Sequence, residues 1–344
     1  MKPSLDGGGY LRAVWKINVR QAFLCFYLRF ISPLRTSPVP PPAKDPPISL
    51  SPSKEENTVL ILMFSRFWNK PIEETLAGAV IPGGWEVTTD RGRLDKAAAV
   101  VFHVPEIRSL RGVRRFPDQL WVGCSKESRV HRPYQNFWGR FDLTMTYRRD
   151  ADVFFPYLPE PGALTAPPAP KKEQPLVSFF ASNWLEFSGR TRYAARLMRY
   201  LEVHSFGTCL NNQIVQDDLG ETTKLDIIAR YKFNLAFENT IEDDYVTEKF
   251  FEPLIAGTVP VYLGAPNIEE FVPGDHCFID AREFPNPRDL AEYLVFLNQN
   301  DALYAEFHTW RNRPLRPSFL ALAERCGKNP FTHLFVKIKD RIGK

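Results

Sequence analysis

Between positions 239 and 249 the chain carries an amide, a phenol, a carboxylate and an ammonium: Asn239, Tyr245, Glu248 and Lys249. Lys249 follows Tyr245 by four residues, so both project from one face of a helix near its N-terminus, where phosphate oxygens are well held. A second cation, Arg192, comes after Ser188-Gly189 at the start of another expected helix, and a guanidinium there could clamp a diphosphate with two parallel hydrogen bonds. Glu127, in Cys-Ser-Lys-Glu-Ser-Arg-Val-His with His131 four residues on, could take a proton from a hydroxyl nucleophile at a cleft edge. Asp150-Ala151-Asp152 has the Asp-x-Asp form in which two carboxylates hold a divalent metal, although Arg148-Arg149 just before it would neutralise the pair. Each group also has a plainer reading. Lys249 fits a solvated helix start, Arg192 a basic surface helix with Arg190, Arg196 and Arg199, and Glu127 an exposed loop.

The elements that must position these groups are most legible over Tyr231–Gly264. Phe233–Phe237 is an apolar run short enough for a buried parallel strand. A polar loop over 238–244 follows, with Asp243 and Asp244 as acidic caps for a helix over Val246–Ala256, which Gly257 stops. Val259–Leu263 is the next strand. Strand, crossover helix and strand make a right-handed βαβ unit, and such sheets bind ligands at the carboxyl ends of their strands. Glu238, Asn239, Tyr245, Glu248 and Lys249 would then face one crevice. Pro253 lies inside the proposed helix and removes the bond to the Lys249 carbonyl, so a kink or a later helix start is expected.

The remainder supports two α/β domains. At 344 residues the chain has room for two cores, and a formal net charge of +4 is too small to argue for nucleic acid while allowing a basic pocket for an anionic substrate. Apolar runs at Val59–Phe64, Trp85–Thr88, Ala97–Phe102, Gln119–Val122 and Phe141–Tyr147 read as strands of a first domain over 55–160. A proline-rich linker over 161–175 separates it from a second domain over 176–330. There Leu176–Ala181, Val203–Phe206 and Cys277–Ile279 read as strands, and Arg190–Glu202, Ala291–Leu297 and Ala302–Trp310 as helices. Residues 331–344 read as a basic C-terminal tail. In the N-terminal segment 1–54, Ala22–Leu28 is apolar but flanked by Lys16, Arg20 and Arg29, which leaves a weak membrane anchor at best, and Ser32–Ser53 is a proline-rich stem. Five cysteines without metal spacing imply no framework of their own.

The ordered set Phe-x-Leu-Ala-Phe-Glu-Asn, Asp-Tyr-Val-Thr-Glu-Lys and Val-Pro-Val-Tyr-Leu-Gly-Ala-Pro-Asn resembles the signature of the α-1,3/1,4-fucosyltransferase family, most similar to its plant and algal members. The likeness extends through Phe180-Ala181-Ser182-Asn183, Gly189-Arg190-Thr191-Arg192-Tyr193, Thr146–Val153 and Glu127-Ser128 with His131, about residues 58–320 in all. It implies a GT-B fold, two Rossmann-like domains facing across a cleft, with GDP-β-L-fucose as donor, inversion, and no essential metal or cofactor. Glu127 would be the general base on the hydroxyl of an N-acetylglucosamine-containing glycan acceptor. Arg192 and Lys249 would balance the departing diphosphate, and Asn239, Tyr245 and Glu248 would position the donor. His103 and His131 would face the acceptor. Val104 and Arg129 replace a histidine and a proline common in the family, both on the acceptor side. The resemblance also implies a type II Golgi membrane protein, an expectation that the poor anchor does not strengthen. Two other readings are a metal-dependent transferase of another nucleotide sugar, working through Asp150 and Asp152, and an inactive glycan-binding protein of the same fold.

Overall fold

The computed structural model describes residues 49–50, 58–68, 70–107, 109–129, 137–168, 170–171, 176–215, 220–327 and 329–343. Ala22–Leu28, most of the Ser32–Ser53 stem and His131 lie outside them. No helix among the described residues is long and apolar enough to cross a membrane.

Short apolar runs form strands buried at nearly every position, the pattern of a parallel sheet covered on both faces. The first sheet comprises β1 (Ser49–Leu50), β2 (Val59–Met63), β3 (Trp85–Thr88), β4 (Ala99–His103), β5 (Leu120–Ser125), β6 (Leu143–Thr146) and β7 (Val153–Phe154), with helix α1 (Ile72–Thr75) after β2. Its spatial order is β1-β3-β2-β4-β5-β6-β7, parallel throughout except for β1 against β3. The second sheet is wholly parallel, in the order β12-β11-β10-β8-β9. Along the chain it reads β8 (Val177–Phe180), α2 (Arg190–Leu197), β9 (Val203–Phe206), α3 (Glu221–Ala229), β10 (Phe233–Phe237), α4 (Glu248–Ile255), β11 (Val259–Leu263) and β12 (Ile279–Asp280). Helices α5 (Pro287–Asn298), α6 (Asp301–Glu306), α7 (Pro317–Cys326) and α8 (Pro330–Ile342) complete the chain.

Both sheets have a point where the winding reverses. In the second it falls between β8 and β10, neighbours that lead into the loops over 181–189 and 238–247. In the first it falls between β2 and β4, whose carboxyl ends carry Phe67, Trp68 and His103. Crevices at such points are where open α/β sheets take their ligands.

Several elements differ from the sequence expectation: the helix expected over Ala302–Trp310 ends at Glu306, the strand expected over Cys277–Ile279 is Ile279–Asp280, and three differences bear on the site or the core. Helix α4 begins at Glu248 and not at Val246, because Thr247 is its N-cap and accepts from the Lys249 amide. Asp244 is not a cap; it adopts a left-handed φ of 67° and is tied through its amide and carboxylate to the Asn267 side chain. Pro253 sits inside α4. Helix α2 stops at Leu197, short of Glu202, since the chain must turn to enter β9. The greatest difference is at the end of the chain. Residues 330–342 are a helix and not a tail: Asn329 caps it, Pro330 occupies its first turn, and Phe331, Leu334, Phe335 and Ile338 are buried in the core of the first sheet. The spacing of these four is that of one helical face. Burying such side chains is worth roughly 1.5–3 kcal/mol each, more than the exposed lysines and arginines on the other face could oppose. The second sheet is thereby bracketed by two segments that both belong to the first core.

Candidate active site

Strand β5 ends at Ser125, and the chain folds back on it in a small side-chain turn. The Glu127 amide donates to Ser125 Oγ at 2.9 Å, and that hydroxyl donates to the Glu127 carbonyl at 3.2 Å. The half-buried Glu127 side chain is thus presented beyond the carboxyl end of the first sheet. From the second sheet, Tyr245 brings its hydroxyl to 3.5 Å from Glu127 Oε2. Tyr245 is buried, with its ring edge-on to Tyr147 at 4.9 Å and to Tyr157 at 6.5 Å. Burial, then the negative charge of Tyr157 if ionised and of Glu127, Glu238 and Glu248, raises the Tyr245 phenol well above its ordinary pKa, so it stays a donor.

Across the crevice, α4 starts from a compact polar knot. Buried Glu238, the first residue after β10, accepts from the Thr247 amide at 2.7 Å and from its hydroxyl at 2.8 Å. Lys249 Nζ donates to Thr247 Oγ1 at 2.9 Å and Glu248 Oε1 at 3.0 Å, with Glu238 Oε2 at 3.5 Å. Burial opposes the charge on Lys249, but Glu238 and Glu248 outweigh it and raise its pKa. For Glu248, burial pushes the carboxyl up, and Lys249 and Lys224 more than reverse this, holding it below its usual range. Gly264, at the end of β11, leaves no room for a side chain: a Cβ would lie 2.3 Å from the Tyr262 hydroxyl and 2.6 Å from Glu238 Cγ. Asn239 accepts from the Phe187 and Ser188 amides through its backbone carbonyl, at 2.7 and 3.2 Å. Its side-chain Oδ1 is buried and has no hydrogen-bond partner among the described residues.

The two arginines at the start of α2 differ in their surroundings. Arg192 is exposed on the helix. Arg190 is buried, donates to the carbonyls of Phe237 at 3.2 Å and Asn183 at 3.0 Å, and lies close enough for its charge to oppose that of Lys249. It therefore stands at the β8/β10 reversal, two residues before the Arg192 that the sequence offered as a diphosphate clamp. Helical periodicity separates the two by about 200°, and only packing decides which one points inward.

His103 ends β4 and is buried, stacked on Phe67 at 5.1 Å and tilted against Trp68 at 4.7 Å. Burial lowers its pKa to about 4, so the ring is neutral near pH 7. Its Nδ1 lies 3.4 Å from Glu106 Oε1 without the alignment of a hydrogen bond. Asp150 and Asp152 have separate partners: Arg148 grips Asp150 through two bonds of 2.8 Å, and Asp152 Oδ2 accepts from the Thr144 amide at 2.8 Å and hydroxyl at 3.1 Å. Lys126, absent from the sequence reading, lies 4.1 Å from the Tyr157 ring centroid and 4.7 Å from that of Phe155. Burial lowers its pKa to about 8, partly restored by Glu248. Its place beside Glu127 was the one signal that could have drawn attention to it.

Comparison with known proteins gives two adjoining family matches: "Fucosyltransferase, N-terminal" over residues 56–158 and "Glycosyltransferase family 10 (fucosyltransferase) C-term" over 169–339. A chimpanzee 4-galactosyl-N-acetylglucosaminide 3-alpha-L-fucosyltransferase FUT6 is 37% identical over 290 residues, 78% of each chain. A rat 4-galactosyl-N-acetylglucosaminide 3-alpha-L-fucosyltransferase 9 is 35% identical over 240 residues, 66% of this chain and 64% of its own length. Among solved structures, an alpha1,3-fucosyltransferase with GDP-fucose superposes with a TM-score of 0.54 at 17% identity, covering 82% of this chain and 94% of that one, a likeness of fold.

Proposed function

The chain belongs to glycosyltransferase family 10, the fucosyltransferases, and from that premise we propose that it transfers L-fucose from GDP-β-L-fucose, with inversion, to O3 or O4 of an N-acetylglucosamine in a glycan acceptor. The observation that carries this reading is the meeting of Glu127 with Tyr245 above the crevice that holds Lys249 and the unpaired Asn239 Oδ1.

Inversion is a single displacement. The acceptor hydroxyl attacks fucose C1 on the face opposite the diphosphate, its proton passes to Glu127, and the bond from C1 to the β-phosphate oxygen breaks. Negative charge builds on the departing GDP, and fixed cations in a dry cleft stabilise it without reorganising. Lys249 is one such cation, and Arg190 the guanidinium best placed to be the other. Arg192, named for this role by the sequence, would serve only the outer rim. Asn239 Oδ1 accepts from a donor hydroxyl, Tyr245 donates toward the reacting centre, and Glu248 accepts from the fucose. His103 with Phe67 and Trp68 makes an aromatic wall on the acceptor side. Asp150, already gripped by Arg148, is poorly disposed toward a metal-dependent alternative. A type II Golgi membrane setting goes with the reading.

The test is incubation with GDP-fucose and an array of N-acetyllactosamine, Lewis-type and N-glycan-core acceptors in EDTA. Transfer to at least one is expected; transfer to none of them, with GDP-fucose bound, overturns the proposal.

A further inference from the structure

Glu242 belongs to the loop between β10 and α4, yet its carboxylate is occupied by the other sheet. Its Oε2 accepts from Ser128 Oγ at 2.6 Å and from the Tyr147 hydroxyl at 2.7 Å, and Oε1 lies 3.6 Å from the Arg148 guanidinium. Ser128 follows Glu127 directly and is fully buried, as is Tyr147. The Tyr147 hydroxyl accepts in turn from the Arg129 amide at 3.2 Å, so both residues after Glu127 are held through one carboxylate. On its own side, the Glu242 carbonyl accepts from the Tyr245 amide at 3.2 Å. The contacts close a circuit from Glu127 through Ser128, Glu242 and Tyr245 and back to Glu127.

We propose that Glu242 is a positioning residue, a clamp that fixes the Glu127 loop of one sheet at a set distance from the donor loop of the other. This rests on the reading of Glu127 as the base. Hydrogen bonds to an ionised acceptor are short and directional, and a shift of about 1 Å in a reacting group can cost about 100-fold in rate. The clamp is not needed to keep the loops together. Arg149 makes a second bridge, donating to Asp244 from its amide at 2.9 Å and from Nε at 2.7 Å, and pairing with Glu270. Removing Glu242 should therefore leave the domains associated and the base misplaced.

The experiment compares Glu242→Ala, Glu242→Gln, Tyr147→Phe and Ser128→Ala with the parent and with Glu127→Gln. Each is assayed for transfer from GDP-fucose to the acceptor selected by the array, for GDP affinity by calorimetry, and for thermal midpoint. Glu242→Ala is expected to lower kcat by about 100-fold with GDP affinity within about twofold of the parent. Glu242→Gln, whose amide oxygen can still accept from both hydroxyls, should recover most of that loss. Tyr147→Phe and Ser128→Ala should each show a smaller loss of the same kind. Full turnover by Glu242→Ala while Glu127→Gln is inactive overturns the clamp and leaves the base reading standing. Equal losses of kcat and GDP affinity, unrescued by Gln, also overturn it, as a merely structural role. Should Glu242→Ala not fold, wild-type turnover in both Tyr147→Phe and Ser128→Ala overturns the clamp. Full turnover by Glu127→Gln removes the base, and the clamp with it.

Discussion

The hydroxyl of Tyr245, from the loop after β10, lies 3.5 Å from the carboxylate of Glu127, from the loop after β5. Two residues 118 positions apart, one beside each sheet, thus meet across the cleft. The distance is long for a hydrogen bond, and a substrate hydroxyl competing for Glu127 would displace little.

The first prediction concerns this pair. Glu127→Gln preserves shape and removes the proton acceptor, so transfer should fall by about 10²–10⁴-fold while GDP affinity is unchanged. Tyr245→Phe removes only this long, weak contact and should cost about tenfold or less. Steady-state kinetics decide it: a Glu127→Gln enzyme with parental kcat sinks the assignment.

A second prediction separates the cations. Lys249→Met should raise the Kd for GDP by about 10–100-fold, the value of a charge-assisted hydrogen bond at 1.5–3 kcal/mol, and should flatten the dependence of GDP binding on salt. Arg190→Lys should weaken GDP binding through loss of its fork geometry, whereas Arg192→Ala should change Kd by less than about threefold. The folded fraction is measured alongside, because Lys249→Met leaves Glu238 buried without its cation. If Arg192→Ala proves the damaging variant, the diphosphate contact belongs to Arg192 and not to Arg190.

Much of what positions this site is legible in the sequence. The βαβ unit over Tyr231–Gly264 is two apolar runs of strand length with polar residues gathered at one end, and chain direction alone puts those residues at the carboxyl edge. What could not be read has a common cause. The sequence shows Glu242-Asp243-Asp244 as one acidic run, but Glu242 finds Ser128 and Tyr147, and Asp244 finds Arg149 and Asn267, at separations that no local pattern encodes. Thr247 prevails over Asp243 and Asp244 as N-cap because Glu238 and Lys249 converge on its hydroxyl. The choice between Arg190 and Arg192 depends on where Phe237 and Asn183 place their carbonyls.

The third prediction follows from His103. Burial depresses its pKa from 6.5 to about 4 in the folded chain. Below pH 6.5 the unfolded chain takes up a proton that the folded chain refuses until about pH 4, so the unfolded state binds more protons in that window and stability falls as pH falls through it. Above pH 6.5 the group contributes no slope. The ceiling is about 3 kcal/mol, and His308, lowered to about 4 chiefly by burial, acts in the same direction. His103→Phe should lose part of the decline in thermal midpoint between pH 6.5 and 4.5, and an identical pH profile would contradict the burial argument. A neutral ring also means that no limb of the activity profile between pH 5 and 8 should vanish with His103.

The last prediction tests helix α8, which the charge pattern disguised. Leu334 and Phe335 are fully buried against the first sheet, while Val336, the next residue, is 49% exposed. If the helix completes the first core, truncating either buried side chain leaves a cavity among β2–β6 and costs about 2–5 kcal/mol. Val336→Ala should stay within about 0.5 kcal/mol, since it opens no cavity and slightly favours the helix. A basic tail lying over the surface would instead make all three substitutions nearly silent. Denaturant titration distinguishes the cases, and near-equal midpoints for Leu334→Ala, Phe335→Ala and Val336→Ala would place the segment outside the core. The expected loss matters for chemistry as well as stability, because β5 belongs to that core and Glu127 follows its carboxyl end. Softening the first sheet should lower transfer more than GDP affinity, which depends on residues of the second.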